Sequence, residues 1–123
     1  MNMSDTRPVY IQLIDRIYTM VLSGQYPPGA KLPTVRELAE QMQANPNTVQ
    51  RALFYLEEQG IIYTQRTTGK FITEDSGVIE RVRKSLAAVY SADYFRKMQQ
   101  IGINVPDAKR IIMETEEQTG GVN

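Results

Sequence analysis

The chain has 123 residues, 41% of them hydrophobic, which suits one small domain, or one with an appendage, and places it among globular rather than disordered proteins. Fourteen Lys and Arg balance fourteen Asp and Glu, so no overall positive field points to nucleic acid, and any such role must come from where the arginines sit. The absence of cysteine and histidine removes disulfides, thiol nucleophiles and the commonest general base and metal ligands, so neither an enzyme, a metal centre nor a cofactor is expected.

In chain order, the start "MNMSDTRP" lacks the basic and hydrophobic regions of a signal peptide and no apolar run approaches a membrane span, so the expected compartment is the cytoplasm, without membrane association. From Pro8 to Leu22, apolar residues at Tyr10, Ile14, Ile17 and Val21, with Leu13 and Leu22 alongside, predict an amphipathic helix stopped by Gly24. The linker "QYPPGAKLP" cannot continue a helix and is expected to cross the surface as an irregular turn. Thr34 and Glu37 have the spacing of a reciprocal capping box, and Val35, Leu38, Ala39 and Met42 give the helix they open an apolar side ending near Gln41 or Met42. After "QA", Asn45 is placed as a cap and Pro46 as a first helical residue. Val49, Ala52, Leu53 and Leu56 then form a buried stripe, which leaves Asn47, Thr48, Gln50 and Arg51 near an exposed start.

Gly60 ends that helix, and "IIYTQR", "TTGK", "FIT" reads as two short strands joined by a glycine-containing turn, with Tyr63 expected in the core. From Gly77 or Val78 a long helix follows, with Val82, Leu86, Val89 or Tyr90, Tyr94, Met98 and Ile101 in one stripe and Gly102 as its end. "INVPDAKRIIMETEEQ" restarts helically around Pro106 and fades into a flexible tail, "TGGVN". A stripe of that length exceeds what so small a body buries, so a second copy is expected to cover part of it, making Val82, Leu86, Val89, Tyr90, Tyr94, Met98 and Ile101 the dimerisation residues. The acidic run "METEEQ" reads as a solvated face.

Two helices joined by a very short turn, the second opening on small polar residues, form a helix-turn-helix pattern. A helix start offers free N–H groups and partial positive charge to a phosphate, while Asn, Gln, Thr and Arg there reach base edges in a major groove. Taken alone these residues read more readily as a solvated cap; Arg36, Arg51, Arg66 and Lys70 reverse the balance, because the fold order brings them toward one face. Arg51 has an alternative, pairing with Glu57 or Glu58 or packing by its stem.

The stretch "GAKLPTVRELAEQMQANPNTVQRALFYLEEQGIIYTQRTTGKF" resembles the winged helix-turn-helix of the GntR family of bacterial transcription regulators. The likeness runs from about Pro8 through Phe71, and the short two-helix tail resembles the YtrA subfamily. The resemblance implies a mainly α, α+β architecture, with a winged helix-turn-helix domain at 1–75 followed by a helical dimerisation segment at 76–123. It implies that Arg36 contacts phosphate or groove, that Asn45, Asn47, Thr48, Gln50 and Arg51 form the recognition-helix face, and that Arg66, Thr68, Gly69 and Lys70 belong to the wing. The family's wing commonly reads Arg, Gly, any residue, Gly; here it is "RTTGK", with Thr67 in place of the first glycine.

The implied partners are double-stranded DNA with a palindromic operator and a second copy of the chain. The implied activity is repression, commonly of the regulator's own operon alongside transporter genes. No effector site is legible; an unidentified small molecule docking between the tail helices is the form effector control would take. The rival reading from another class is a winged-helix protein-interaction module without sequence-specific DNA binding.

Overall fold

A computed structural model of the chain describes residues 6–118. Among these residues the order is α1 (Val9–Leu22), α2 (Val35–Met42), α3 (Pro46–Glu58), β1 (Ile62–Gln65), β2 (Gly69–Ile72), α4 (Ser76–Gln100) and α5 (Val105–Gln118). The chain divides into two compact units, residues 1–82 and 83–123, so the break falls inside α4, a little beyond the start of that helix. The expected flexible tail "TGGVN" lies outside the described residues.

The first unit is organised by α3, which packs against both α1 and α2. Val49, Ala52, Leu53 and Leu56 are all at 0% exposure and form its inward stripe. Leu13, Ile14, Ile17 and Val21 of α1 and Leu38, Ala39 and Met42 of α2 complete the apolar interior. Tyr18 and Gln12 are buried too, which the spacing of apolar residues did not foretell. Burial, with the neighbouring Tyr55 hydroxyl, pushes the Tyr18 phenol up to about 12, so it stays protonated. The Gln12 amide donates to the Arg7 carbonyl at 2.8 Å.

The helix starts follow their caps. The Thr34 hydroxyl accepts the Glu37 N–H at 3.1 Å while the Glu37 carboxylate accepts the Thr34 N–H at 2.9 Å, closing the capping box. Asn45 caps α3, its side-chain oxygen accepting the Asn47 N–H at 2.8 Å, with Pro46 as the first helical residue. Between α2 and α3 the chain turns through Gln43, whose φ of 53° is left-handed. The Arg16 guanidinium reaches across from α1 to the Met42 carbonyl at 3.3 Å and ties down the end of α2.

β1 and β2 pair antiparallel, with Ile62 opposite Ile72 and Gln65 opposite Gly69. Three expectations are corrected here. The linker is not wholly irregular: the Ile72 N–H donates to Ala30 at 2.9 Å and the Leu32 N–H donates to Lys70 at 2.8 Å, so this stretch lies beside β2 as a third edge. Its prolines sit at 27, 28 and 33, outside the residues that pair. Gly69 and Lys70 belong to β2, not to the turn. Tyr63 is not core: it is 37% exposed and stacks on Phe71 with centroids 5.7 Å apart, because Ile62 and Ile72 take the helix-facing side of the hairpin.

At the start of α4, Ile79 and Val82 are buried and the Arg81 guanidinium donates to the Gln59 carbonyl at 3.3 Å. Val82, expected to meet a second chain, is already buried in the single chain.

In the second unit, Gly102 (φ 84°) breaks the helix, the Ile103 N–H donates to the Met98 carbonyl at 2.9 Å, and Asn104 caps α5 by accepting the Asp107 N–H at 3.0 Å. The Tyr94 hydroxyl donates to the Ala108 carbonyl at 2.8 Å, joining the end of α4 to α5. Lys97 at 2.9 Å and Arg96 both pair with Asp93, and the Lys97 hydrogen bond holds that carboxyl below its usual range. Glu114 of the acidic run is exposed and lies 3.5 Å from the Arg110 guanidinium. No helix among the described residues is long and apolar enough to cross a membrane.

The left-handed Gln43 supplies a stability test. A side chain in that conformation costs roughly 1–2 kcal/mol, whereas glycine adds about 0.5–1 kcal/mol of chain entropy. Gln43→Gly is therefore expected to raise stability by up to about 1 kcal/mol. Urea unfolding should show a higher midpoint with an unchanged slope; a lower midpoint contradicts the strain argument.

Candidate nucleic-acid interface

Because Val49, Ala52, Leu53 and Leu56 turn inward, the opposite side of α3 is presented to solvent. Asn47, Gln50 and Arg51 are exposed there, and Asn45 is exposed at the cap. Asn45 already uses its side-chain oxygen on the Asn47 N–H, so its first task is to fix where the helix begins. Thr48 is half-buried and turns toward the beginning of α1. Phe54, 60% exposed, follows Asn47 by seven residues and Gln50 by four on the same outward face. Sequence reasoning did not single it out, although its place opposite the stripe was readable from the helical period.

Arg51 does not pair with Glu57 or Glu58. Its guanidinium carbon stands over the Tyr10 ring, 3.7 Å from the centroid. Tyr10, Pro8 and Val9 of the α1 entry, with Asn47, Thr48 and Arg51 of α3, line an open notch of about 400 Å³.

The hairpin divides its predicted residues into two sets. Arg66 and Thr68 are exposed at the tip, where the Thr68 N–H donates to the Gln65 carbonyl at 3.2 Å and the Thr68 hydroxyl donates to the Gln65 side chain at 2.8 Å, closing the turn. Lys70 points elsewhere: its ammonium donates to the Thr64 hydroxyl at 2.8 Å and lies 3.6 Å from the Glu57 carboxylate, which also accepts from Thr64. Lys70 thus ties the hairpin to the end of α3. Gly69 has a φ of 123°, a conformation that favours glycine, and a Cβ there would meet only the flexible end of Lys31, Cε at 3.0 Å.

Between them, Lys31, Thr34, Thr64, Arg66, Thr68 and Lys70 border a groove of about 270 Å³. Arg36 is exposed in the first turn of α2, at the same end of that helix as Thr34.

The fold and this arrangement of exposed polar groups have counterparts. The sequence pattern of the "Bacterial regulatory proteins, gntR family" matches residues 9–72, from the first residue of α1 to the last of β2. The chain belongs to the GntR family. GntR proteins are DNA-binding transcription regulators, and this one is a transcription regulator rather than an enzyme.

A solved GntR family transcriptional regulator from Listeria monocytogenes is 40% identical, with a TM-score of 0.79 over 92% of this chain and 96% of that one. The HTH-type transcriptional repressor YtrA of Bacillus subtilis (strain 168) is 48% identical over 69 residues, covering 56% of this chain and 53% of that protein. The GntR chain therefore spans about half the length of that relative. A structure of AraR(DBD) in complex with operator ORX1 is 29% identical, with a TM-score of 0.53 over 55% of this chain and 82% of that one.

One electrostatic feature is testable by titration. Hydrogen bonds from the Thr34 backbone and side chain, together with the Lys31 charge, hold the Glu37 carboxyl below its ordinary 4.5. A depressed carboxyl stabilises the folded state fully above the unfolded value, and the contribution is lost as pH falls through the lower folded value. The Thr34 and Glu37 amide resonances should accordingly move with a midpoint below pH 4.5, and Glu37→Gln should abolish the movement. A midpoint at or above that value contradicts the capping geometry.

Proposed function

We propose that this GntR regulator is a homodimeric, sequence-specific repressor in which the starts of two α3 helices enter successive major grooves of an inverted-repeat operator. The observation that carries the reading is the outward start of α3. Asn47, Gln50 and Arg51 stand exposed beside the helix N-terminus, and the apolar stripe on the far side fixes their direction. Asn47 and Gln50 read base edges, whereas Arg36, Arg51 and Arg66 meet phosphates. Lys70 acts through the hairpin, holding it against α3 by Glu57 and Thr64. The relatives, one a repressor and one bound to its operator, support a repressor acting on an operator.

The second unit supplies the pairing surface in this reading. Val89, Tyr90 and Ile101 are 60%, 56% and 71% exposed, and Ile112 and Met113 are exposed on α5. Apolar side chains of that size left in water favour burial against a second copy, each contributing about 1.5–3 kcal/mol when fully covered. Leu86, Tyr94 and Met98 are already half-buried and contribute less new surface. The protein works in the cytoplasm, where it finds its operator.

Binding to duplexes enriched by the protein from a randomised pool, and to the promoter of its own operon, tests the reading at two salt concentrations. Asn47→Ala or Gln50→Ala should relax base preference at one position, each good base contact being worth about 1–3 kcal/mol. Arg36→Ala should weaken all sequences alike and flatten the salt slope by about one unit. Lys70→Ala should weaken binding with the slope unchanged. Binding that ignores sequence and salt overturns the regulator reading in favour of a protein-interaction module.

For the dimer, Val89→Glu combined with Tyr90→Glu should give a monomer by sedimentation and remove cooperative binding to the two half-sites. A dimer that persists excludes this surface.

A further inference from the structure

We infer that Tyr10 is a positioning residue for DNA binding: its ring holds the Arg51 guanidinium flat at the flank of α3, so that α1 takes part in recognition without touching DNA. The inference rests on the reading above, in which α3 meets the duplex.

Three observations carry it. The Arg51 guanidinium carbon lies over the Tyr10 ring, 3.7 Å from the centroid, well within cation–π distance. Neither residue one helical turn on, Phe54 or Tyr55, is acidic, Glu57 is taken by Lys70 and Thr64, and no carboxylate pairs with Arg51 among the described residues. The pair borders the open notch beside Asn47 and Thr48, on the side of α3 where its exposed polar residues begin.

The chemistry follows from the shape of the group. A guanidinium carries its N–H donors in its own plane and radially outward. Stacking on a ring occupies one flat face and leaves those edge donors free for a bidentate phosphate contact. Stacking also removes rotamer freedom before DNA arrives, so less is lost on binding. The interaction further explains why Tyr10 is only half-buried although its spacing places it with the α1 stripe: the ring packs under a cation at the edge of the unit.

The test is a mutant cycle on the selected duplexes, with thermal unfolding confirming that every variant is folded at the assay temperature. Arg51→Ala should lower affinity and flatten the salt slope by about one unit. Tyr10→Leu should lower affinity several-fold and flatten the slope part of the way. The double variant should be no weaker than Arg51→Ala alone, and Tyr10→Phe should behave as the wild type.

Pentafluorophenylalanine at position 10 keeps the aromatic shape but reverses the ring quadrupole, so it should mimic Tyr10→Leu without loss of stability; this separates a cation-holding ring from mere packing. It also serves if Tyr10→Leu fails to fold.

Multiplicative losses in the double variant, or wild-type binding with the fluorinated ring, overturn the inference. So does an Arg51→Ala variant that binds normally while Arg36→Ala is weakened, and in that case the DNA reading stands. A wild-type protein that enriches no duplex removes the DNA reading itself.

Discussion

The rotation of α3 about its own axis is the constraint on which the rest depends. Val49, Ala52, Leu53 and Leu56 are completely removed from water between α1 and α2, and turning the helix by even a third of a revolution would expose leucines worth about 1.5–3 kcal/mol each. That penalty fixes which side chains face outward. Asn47, Gln50, Arg51 and Phe54 face outward because the other side of the cylinder is committed to the core. The two ends of the short α2 set the approach: the capping box at Thr34 starts it, and the left-handed Gln43 with the Arg16 contact at Met42 ends it. The helix-turn-helix is therefore a packing result whose by-product is an exposed polar face.

Electrostatics in this protein are local. The chain carries no net charge, so no long-range field gathers DNA, and each basic group must be assigned by its immediate surroundings. The surroundings differ sharply. Lys70 is engaged by Glu57 and Thr64 and works within the fold. Arg16 ends a helix. Arg51 stands over the Tyr10 ring, while Arg36 and Arg66 are exposed. On the proposed reading, DNA binding relies on a few placed cations, and affinity should be more selective for geometry than for charge density.

The second unit follows a different balance. Its polar links, Tyr94 to Ala108 and Asn104 to Asp107, join and cap two helices across the Gly102 turn, and its ion pairs lie along the helices. Few apolar groups are enclosed: Ala108 is fully buried, whereas Val89, Tyr90, Ile101 and Met113 are more than half exposed. Such a helical pair has little core of its own, which is why pairing with a second copy is the role proposed for it.

Much of the first unit was legible in the sequence because the deciding forces act within a few residues. The 3.6-residue period of α1 and α3, the Thr34 and Glu37 box, the Asn45 and Pro46 start, and the Gly60 and Gly102 stops are local signals, and each appears in the structure where it was read. The family likeness rested on the same stretch. What tertiary structure alone decided was partnership between segments distant in the chain. The burial of Gln12 and Tyr18, the strand-like pairing of Ala30 to Leu32 with β2, and the displacement of Tyr63 from the core all depend on a neighbour that periodicity does not name. So do the choice of Glu57 for Lys70 and of Tyr10 for Arg51, since charge and ring find each other only after α1, α3 and the hairpin have packed. Spacing determined which residues could face outward; packing decided which of them were left with free donors.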